Sequence, residues 1–365
     1  MTVRIKKGSV LVYRIFDIAE EIDIAKAEAS LQEVKGRETY KVPKYIDRAI
    51  VVKSPPVAFG LPPVELDLEC GKFKAEVLGK VRDYGVLSLI YQIQIPEGFA
   101  WDQLTALATD LEEGSEIDQH AQAQAASLAE RLKFSLKTPT SWSVFEDYII
   151  YFLQEFEDGV TAHTLVERAD VPALLLAEEK TVLANVTKRA ILDNLYQYGE
   201  DDLALVEWNS ALVVEPDGGR EIPDILEFAV THLLEMRYYD ELLDQRLGVL
   251  YDNIERSKGH VLKGKFDQLY QDASSRFIEF SEFTERVENS LKVVGDFYLA
   301  TVYRAATRRF RLADWQENVT RKMNLLAQVS SLLQGEVNIR RSHWMEITII
   351  ILIGFEIVSA LFRFH

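Results

Sequence analysis

The sequence predicts an α+β protein: an N-terminal α/β head, then a long helical hairpin or stalk, then one C-terminal transmembrane helix. Three observations predict it. Short β-branched and aromatic runs, punctuated by glycine and proline, fill the chain as far as Gly219. From Glu221 glycine becomes rare, and apolar residues recur at three- and four-residue spacing. From Trp344 to Phe362 nearly every residue is apolar; at ~1.5 Å per residue the stretch covers roughly 28 Å, close to the ~30 Å core of a bilayer.

Residues 1–112 read as a first α/β unit. Val10 to Phe16 is a strand by its β-branched and aromatic content, and Asp17 opens a helical pattern with Ile22, Ala25 and Ala29 on one side. Ala49 to Lys53 is a further strand, stopped by Ser54-Pro55-Pro56. Val64 to Glu69 and Phe73 to Val81 flank the hairpin turn Cys70-Gly71-Lys72. Tyr84-Gly85 leads into the strand Val86 to Ile95, which Pro96 closes, and Trp101 to Leu111 is helical. Residues 113–143 read as a helical linker, polar and alanine-rich from Ser115 to Phe134.

Residues 144–219 echo the first unit. Tyr148 to Phe156 reads as a strand, Ala162 to Arg168 as a helix, and Ala173 to Ala177, after Pro172, as a second strand. Tyr198-Gly199 then leads to Leu203 to Trp208, and Ala211 to Glu215 ends at Pro216. Both halves run strand, helix, strand and a meander punctuated by Tyr-Gly and closed by proline. That pattern points to a duplicated unit; two unrelated small sheets are the alternative.

Residues 220–339 read as the stalk. Ile225, Ala229, Leu233, Met236, Leu243, Leu247, Leu250 and Ile254 form one stripe, which skips at Asp240. Ser257 to His260 is a turn signal, and a second helical region from Lys265 carries Phe283, Val287, Leu291 and Val294, with Gly295-Asp296 as a break. Leu312, Trp315, Val319, Leu326 and Leu333 continue at nearly heptad spacing, interrupted at Lys322. So thin a stalk cannot bury both faces by itself, and self-association is the simplest solution.

Residues 340–365 read as a C-terminal membrane anchor. Arg340 and Arg341 precede the apolar run, Trp344 falls at interfacial level, and Arg363 follows it. Glu346 lies near one end. Glu356 lies deeper, where an ionised carboxylate is costly and hence a candidate functional group. The same residues also fit a helix buried in an oligomer core.

The net charge of −17 excludes a general nucleic-acid binder, because phosphate contacts need a basic face. Between Val302 and Arg341, however, eight basic residues face three acidic ones, so the chain turns basic toward the apolar tail. The single cysteine, Cys70, forms no intrachain disulfide and fits a reducing compartment. The N-terminus reads as carrying no address, as in a bacterial protein inserted from the cytoplasm.

Catalytic signatures are absent. No phosphate-binding glycine loop follows a strand, since Gly259 and Gly264 fall in a helix connection. The six histidines are scattered, and His232 with Glu235 is the nearest approach to a metal pair. His232 reads as an ordinary boundary residue beside the apolar stripe. Cys70 has no histidine near it in sequence and is a weak nucleophile candidate. No cofactor, metal ligand or catalytic residue is expected.

The tail and the helices before it resemble the required-for-meiotic-nuclear-division and Sad1-interacting factor family. The resemblance rests on Met345-Glu346-Ile347, Ile349-Ile350, Leu352-Ile353 and Phe355-Glu356-Ile357. Upstream it rests on Tyr239 to Asp244, Val294 to Ala300 and Trp315 with Val319 and Lys322. It implies a membrane-associated homo-oligomer without catalysis, and Glu346 and Glu356 carry over position by position. The family's mitochondrial members sit at the inner membrane and support organellar translation, which implies a translation-related partner. This chain lacks their presequence and their proline-tryptophan segment, having Asp296 to Trp315 in its place.

The expectation is therefore a membrane-anchored homo-oligomeric scaffold or tether, its head binding a cytoplasmic protein and its tail in lipid. An ion-path protein with Glu356 in the membrane, similar in outline to pentameric magnesium channels, is one alternative. An unrecognised enzyme in the head is another.

Overall fold

The computed structural model describes residues 2–32, 56–140, 144–256 and 297–363, with Ser275, Ile278 and Ser281 as isolated positions between. Side chains are described at these residues except 32, 253–256, 330–344 and 355–363. The expected strand Ala49–Lys53, the turn Ser257 to His260 and the stripe Phe283, Val287, Leu291 and Val294 lie outside the described residues. So does the expected break at Gly295-Asp296. The chain divides into two compact units, Met1–Met236 with Glu285–Ala313, and Arg237–Thr284 with Asp314–His365.

In the first unit β1 (Arg4–Asp17) is followed by β2 (Ala19–Ile22), α1 (Ile24–Gln32), β3 (Val57–Leu68), β4 (Gly71–Val81), β5 (Val86–Gln94) and β6 (Phe99–Ala100). Next come α2 (Trp101–Glu113), α3 (Glu116–Leu132), β7 (Leu136–Pro139), β8 (Phe145–Phe156), α4 (Ala162–Arg168), α5 (Val171–Leu175) and α6 (Asn185–Leu192). The short strands β9 (Leu195–Tyr196), β10 (Leu203–Val206) and β11 (Ser210–Val214) precede α7 (Glu221–Arg256). Two helices close the described chain, α8 (Phe297–Arg309) and α9 (Leu312–Arg363).

Strands from both halves join one nine-stranded sheet, ordered β3-β4-β5-β1-β8-β11-β10-β9, with β6 beside β1. Among the described strands only β8 and β11 run parallel. β1 lies between β5 and β8, and from Gly8 to Asp17 every residue is buried. A strand loses its apolar-polar alternation when both faces are covered, and here they are. Val10, Val12, Tyr91 and Tyr151 join one core with Leu104, Leu107, Leu128 and Leu165 of the helices α2 to α4. Leu11, Tyr13, Ile15 and Phe152 alternate with them and are also buried. On their side Arg220 stacks over Phe152, Phe310 packs edge-on to Tyr148, and Phe228 of α7 meets Tyr303 of α8.

Local chemistry sets the boundaries. Gly85 has φ +94°, and a Cβ there would lie 1.6 Å from the Ala19 carbonyl oxygen, so only glycine fits the turn into β5. At the other Tyr-Gly the carboxylate of Asp202 accepts from the N–H groups of Tyr198 and Gly199, a different device. The expected strand Ala173–Ala177 is instead helix α5 with its exit. Pro172 sits in the first turn, and the Asp170 carboxylate accepts from the Ala173 N–H as an N-cap, both of which start helices. Helix α3 buries Ile117, Ala121, Ala125, Leu128 and Leu132 in the core. At the sheet edge β3 shifts register between Leu61 and Val64, across Pro62-Pro63.

The predicted transmembrane helix is corrected. Among the described residues no helix is long and apolar enough to cross a membrane. Residues 340–363 are the end of α9, a continuous helix of 52 residues. Glu346 and Glu356 confine the uncharged run to the nine residues 347–355. At ~1.5 Å per residue that is about 14 Å, half of the ~30 Å a bilayer core demands. The single-pass membrane placement falls with the span.

Candidate functional site

Chemistry-bearing side chains gather in three places. The first lies between the sheet and the N-terminal half of α7. Alternation along β4 turns Lys80 to the same face as Ser88, its register partner on β5. The ammonium of Lys80 reaches Asp224 Oδ1 at 2.8 Å and Glu227 Oε2 at 2.6 Å, and Arg82 Nη2 lies 3.4 Å from Glu227 Oε1. Lys80, Arg82 and Glu227 are all buried. Burial opposes ionisation of Glu227, yet the charges of Lys80 and Arg82 outweigh it and hold the carboxyl below its usual value. For Lys80 burial likewise works against the charge, and Glu227 and Asp224 overcome it. One α7 turn further on, buried His232 places Nδ1 3.2 Å from the Tyr303 hydroxyl, and burial lowers its pKa to about 4. The imidazole is therefore neutral at pH 7. This cluster clamps α7 to the sheet.

The second place is a cleft of about 630 Å³ whose lining includes Trp101, Asp102, Arg168, Asp170, Glu178 and Lys180. Its charges are mixed, and Asp170 is ion-paired with Lys188. Its lining holds no histidine, cysteine or serine. Cys70 stands elsewhere, on the β3–β4 turn, its backbone N–H donating to Asp110. Burial, followed by the Asp110 carboxylate, pushes its thiol up to about 12, so it stays protonated at neutral pH. Among the described residues no three His, Cys, Asp or Glu side chains converge as a metal set.

The third place is the second unit. Leu243, Leu247 and Leu250 of α7 and Val319, Met323 and Leu326 of α9 are buried there. The two irregularities of the apolar stripes meet: Lys322 lies 2.8 Å from Asp240 Oδ1 and 2.7 Å from Asp244 Oδ1. A lysine that interrupts one seam is thus held by the aspartate that interrupts the other. Trp315 is half-buried, and Leu312, in the first unit, is buried. Leu333, Arg340, Arg341, Trp344, Glu356 and Arg363 lie on the α9 backbone, and their side chains are outside the described residues. Glu346 is exposed.

Farther along α9, Met345, Ile347, Ile349, Ile350, Ile351, Leu352 and Ile353 are each 47–67% exposed. At ~100° per residue these positions encircle the helix, and only Glu346 and Thr348 interrupt them. The exposed apolar area is on the order of 700 Å², above the roughly 300–600 Å² of the largest patch on an ordinary monomer.

Sequence reasoning had singled out the residues of the tail and seam, but not the Lys80–Arg82–Glu227 cluster. The available signal was the polar row Asp224, Glu227, Thr231 and Glu235, spaced three or four residues apart along one helix face.

A mixed-sheet α/β head carrying a helical C-terminal unit with an exposed apolar helix end is the class of protein these features define. Residues 7–221 match the family described as uncharacterized protein MJ0711, N-terminal domain, and the chain belongs to that family. Uncharacterized protein MJ0711 of Methanocaldococcus jannaschii is 23% identical over 228 residues, covering 62% of this chain and 69% of that protein. No solved structure matches. The residues behind the meiotic-nuclear-division resemblance all lie beyond the family match.

Proposed function

We propose that the protein is a self-assembling scaffold without catalytic chemistry, in which the C-terminal helix joins copies and the head is left to engage a protein partner. The observation that carries this reading is the run from Met345 to Ile353, apolar on every side and about half exposed. A helix that is hydrophobic all round is buried in its working state. Covering about 700 Å² at ~25 cal/mol per Å² is worth on the order of 15 kcal/mol before the cost of association, ample to hold copies together.

The test is deletion of residues from Ser342 onward, followed by light scattering on the purified protein. The truncated chain should run as a monomer while the intact chain does not, with the thermal unfolding of the head unchanged. An intact chain that is already monomeric ends the proposal.

A further inference from the structure

We infer that the cleft at the start of α2 binds a small zwitterion, a molecule of the amino-acid or short-peptide class with both an ammonium and a carboxylate. The inference goes beyond the self-assembly reading and does not depend on it. Its first ground is the charge of the lining. Arg168 and Lys180 bring two cations, and Asp102, Glu178 and Glu179 bring three anions. Among the described residues the one ion pair at the cleft joins Asp170 to Lys188, and none of the five takes part in another. A ligand of single sign meets like charge as well as unlike in such a lining. A zwitterion meets both needs: its carboxylate suits the planar fork of Arg168, and its ammonium suits the acids.

The second ground is a wall already built. Trp101 is buried, and its indole Nε1 donates to the Asp170 carbonyl oxygen at 3.4 Å, so the ring is held in place at the cleft. The segment that bears Glu178, Glu179 and Lys180 leaves α5 through Ala177. The Ala177 carbonyl accepts from the Thr109 hydroxyl of α2 at 2.7 Å, and the Glu178 N–H donates to the Ala173 carbonyl at 2.9 Å. These bonds tie that segment to α5 and to the helix that carries Trp101 and Asp102. Small-molecule sites are largely preformed clefts of ~300–1,000 Å³ with an apolar wall and a few placed polar groups. The volume here, about 630 Å³, falls within that range.

Isothermal titration calorimetry of the full chain tests the inference with the dipeptide leucyl-leucine, its N-acetyl form and its C-terminal amide. Leucyl-leucine should bind at concentrations up to about 10 mM, and each capped form, having lost one charge, should bind about tenfold more weakly or not at all. Arg168→Gln should weaken leucyl-leucine by about tenfold without weakening the amide, which has no carboxylate to lose. Asp102→Asn should likewise weaken leucyl-leucine without weakening the N-acetyl form. Both residues are exposed, so the unfolding transition of each variant should match that of the unchanged chain. No binding of leucyl-leucine overturns the inference. Equal binding of the three ligands, or binding that neither variant weakens, overturns it as well. The mass of the chain in solution is read separately and decides only the self-assembly reading.

Discussion

Lys80 and Lys322 each reach two carboxylates on α7, at distances between 2.6 and 2.8 Å. Asp224 and Glu227 serve the first, Asp240 and Asp244 the second. The chemistry is the same and the surroundings are not. The Lys80 and Glu227 side chains are 6% and 0% exposed, whereas Lys322, Asp240 and Asp244 are 18%, 20% and 61% exposed. Burial, not distance, decides what such a contact is worth. An exposed pair contributes little because water screens it, while losing one member of a buried set strands a charge in a medium that cannot solvate it.

Lys80→Met breaks the comparison at its stronger end. It should destabilise the head by about 3–5 kcal/mol, read as a lower urea midpoint, because Arg82 alone is then left to balance Glu227 and Asp224. Adding Glu227→Met should not recover that loss, because buried Arg82 then loses its nearest carboxylate; full recovery would mean that Arg82 adds nothing to the cluster.

A smaller effect comes from His232, which the head buries beside this clamp. Its folded value of about 4 lies below the ~6.5 of an unfolded histidine. The neutral ring is favoured in the fold, so its contribution is complete above about pH 6.5 and falls away as pH drops toward 4. His232→Gln should remove on the order of 2–3 kcal/mol of acid sensitivity across that window. Urea midpoints at pH 7 and 4.5, in both proteins, check it; parallel losses in the two would assign the sensitivity elsewhere.

The smallest change is expected at the less buried end. Lys322→Ala should cost no more than about 1 kcal/mol, and less in high salt. A loss matching that of Lys80→Met would erase the distinction drawn between the two clusters.

Much of the head was legible in the sequence because its strands announce themselves by composition and its turns by glycine. Gly71 and Gly85 mark two of them at positive φ. Lys80 was not legible as a buried charge, since the helix that covers it comes 144 residues later in the chain. In a single strand a lysine reads as a solvent-facing residue. Ala173 to Ala177 misled for a local reason: a short apolar run fits strand or helix, and only the Asp170 cap with Pro172 decides it. The tail misled for a deeper one. Apolar density looks alike whether the eventual neighbour is lipid or protein, and the two glutamates that cut the run to nine residues carry more weight than the isoleucines between them.

The edge strand β3, with Pro62-Pro63 at its register shift, has a consequence for crowding. Proline offers no amide to an incoming strand, and the opposite border of the sheet, β9, is only two residues long. Among the described strands, both borders therefore offer an incoming chain few consecutive amides to pair with.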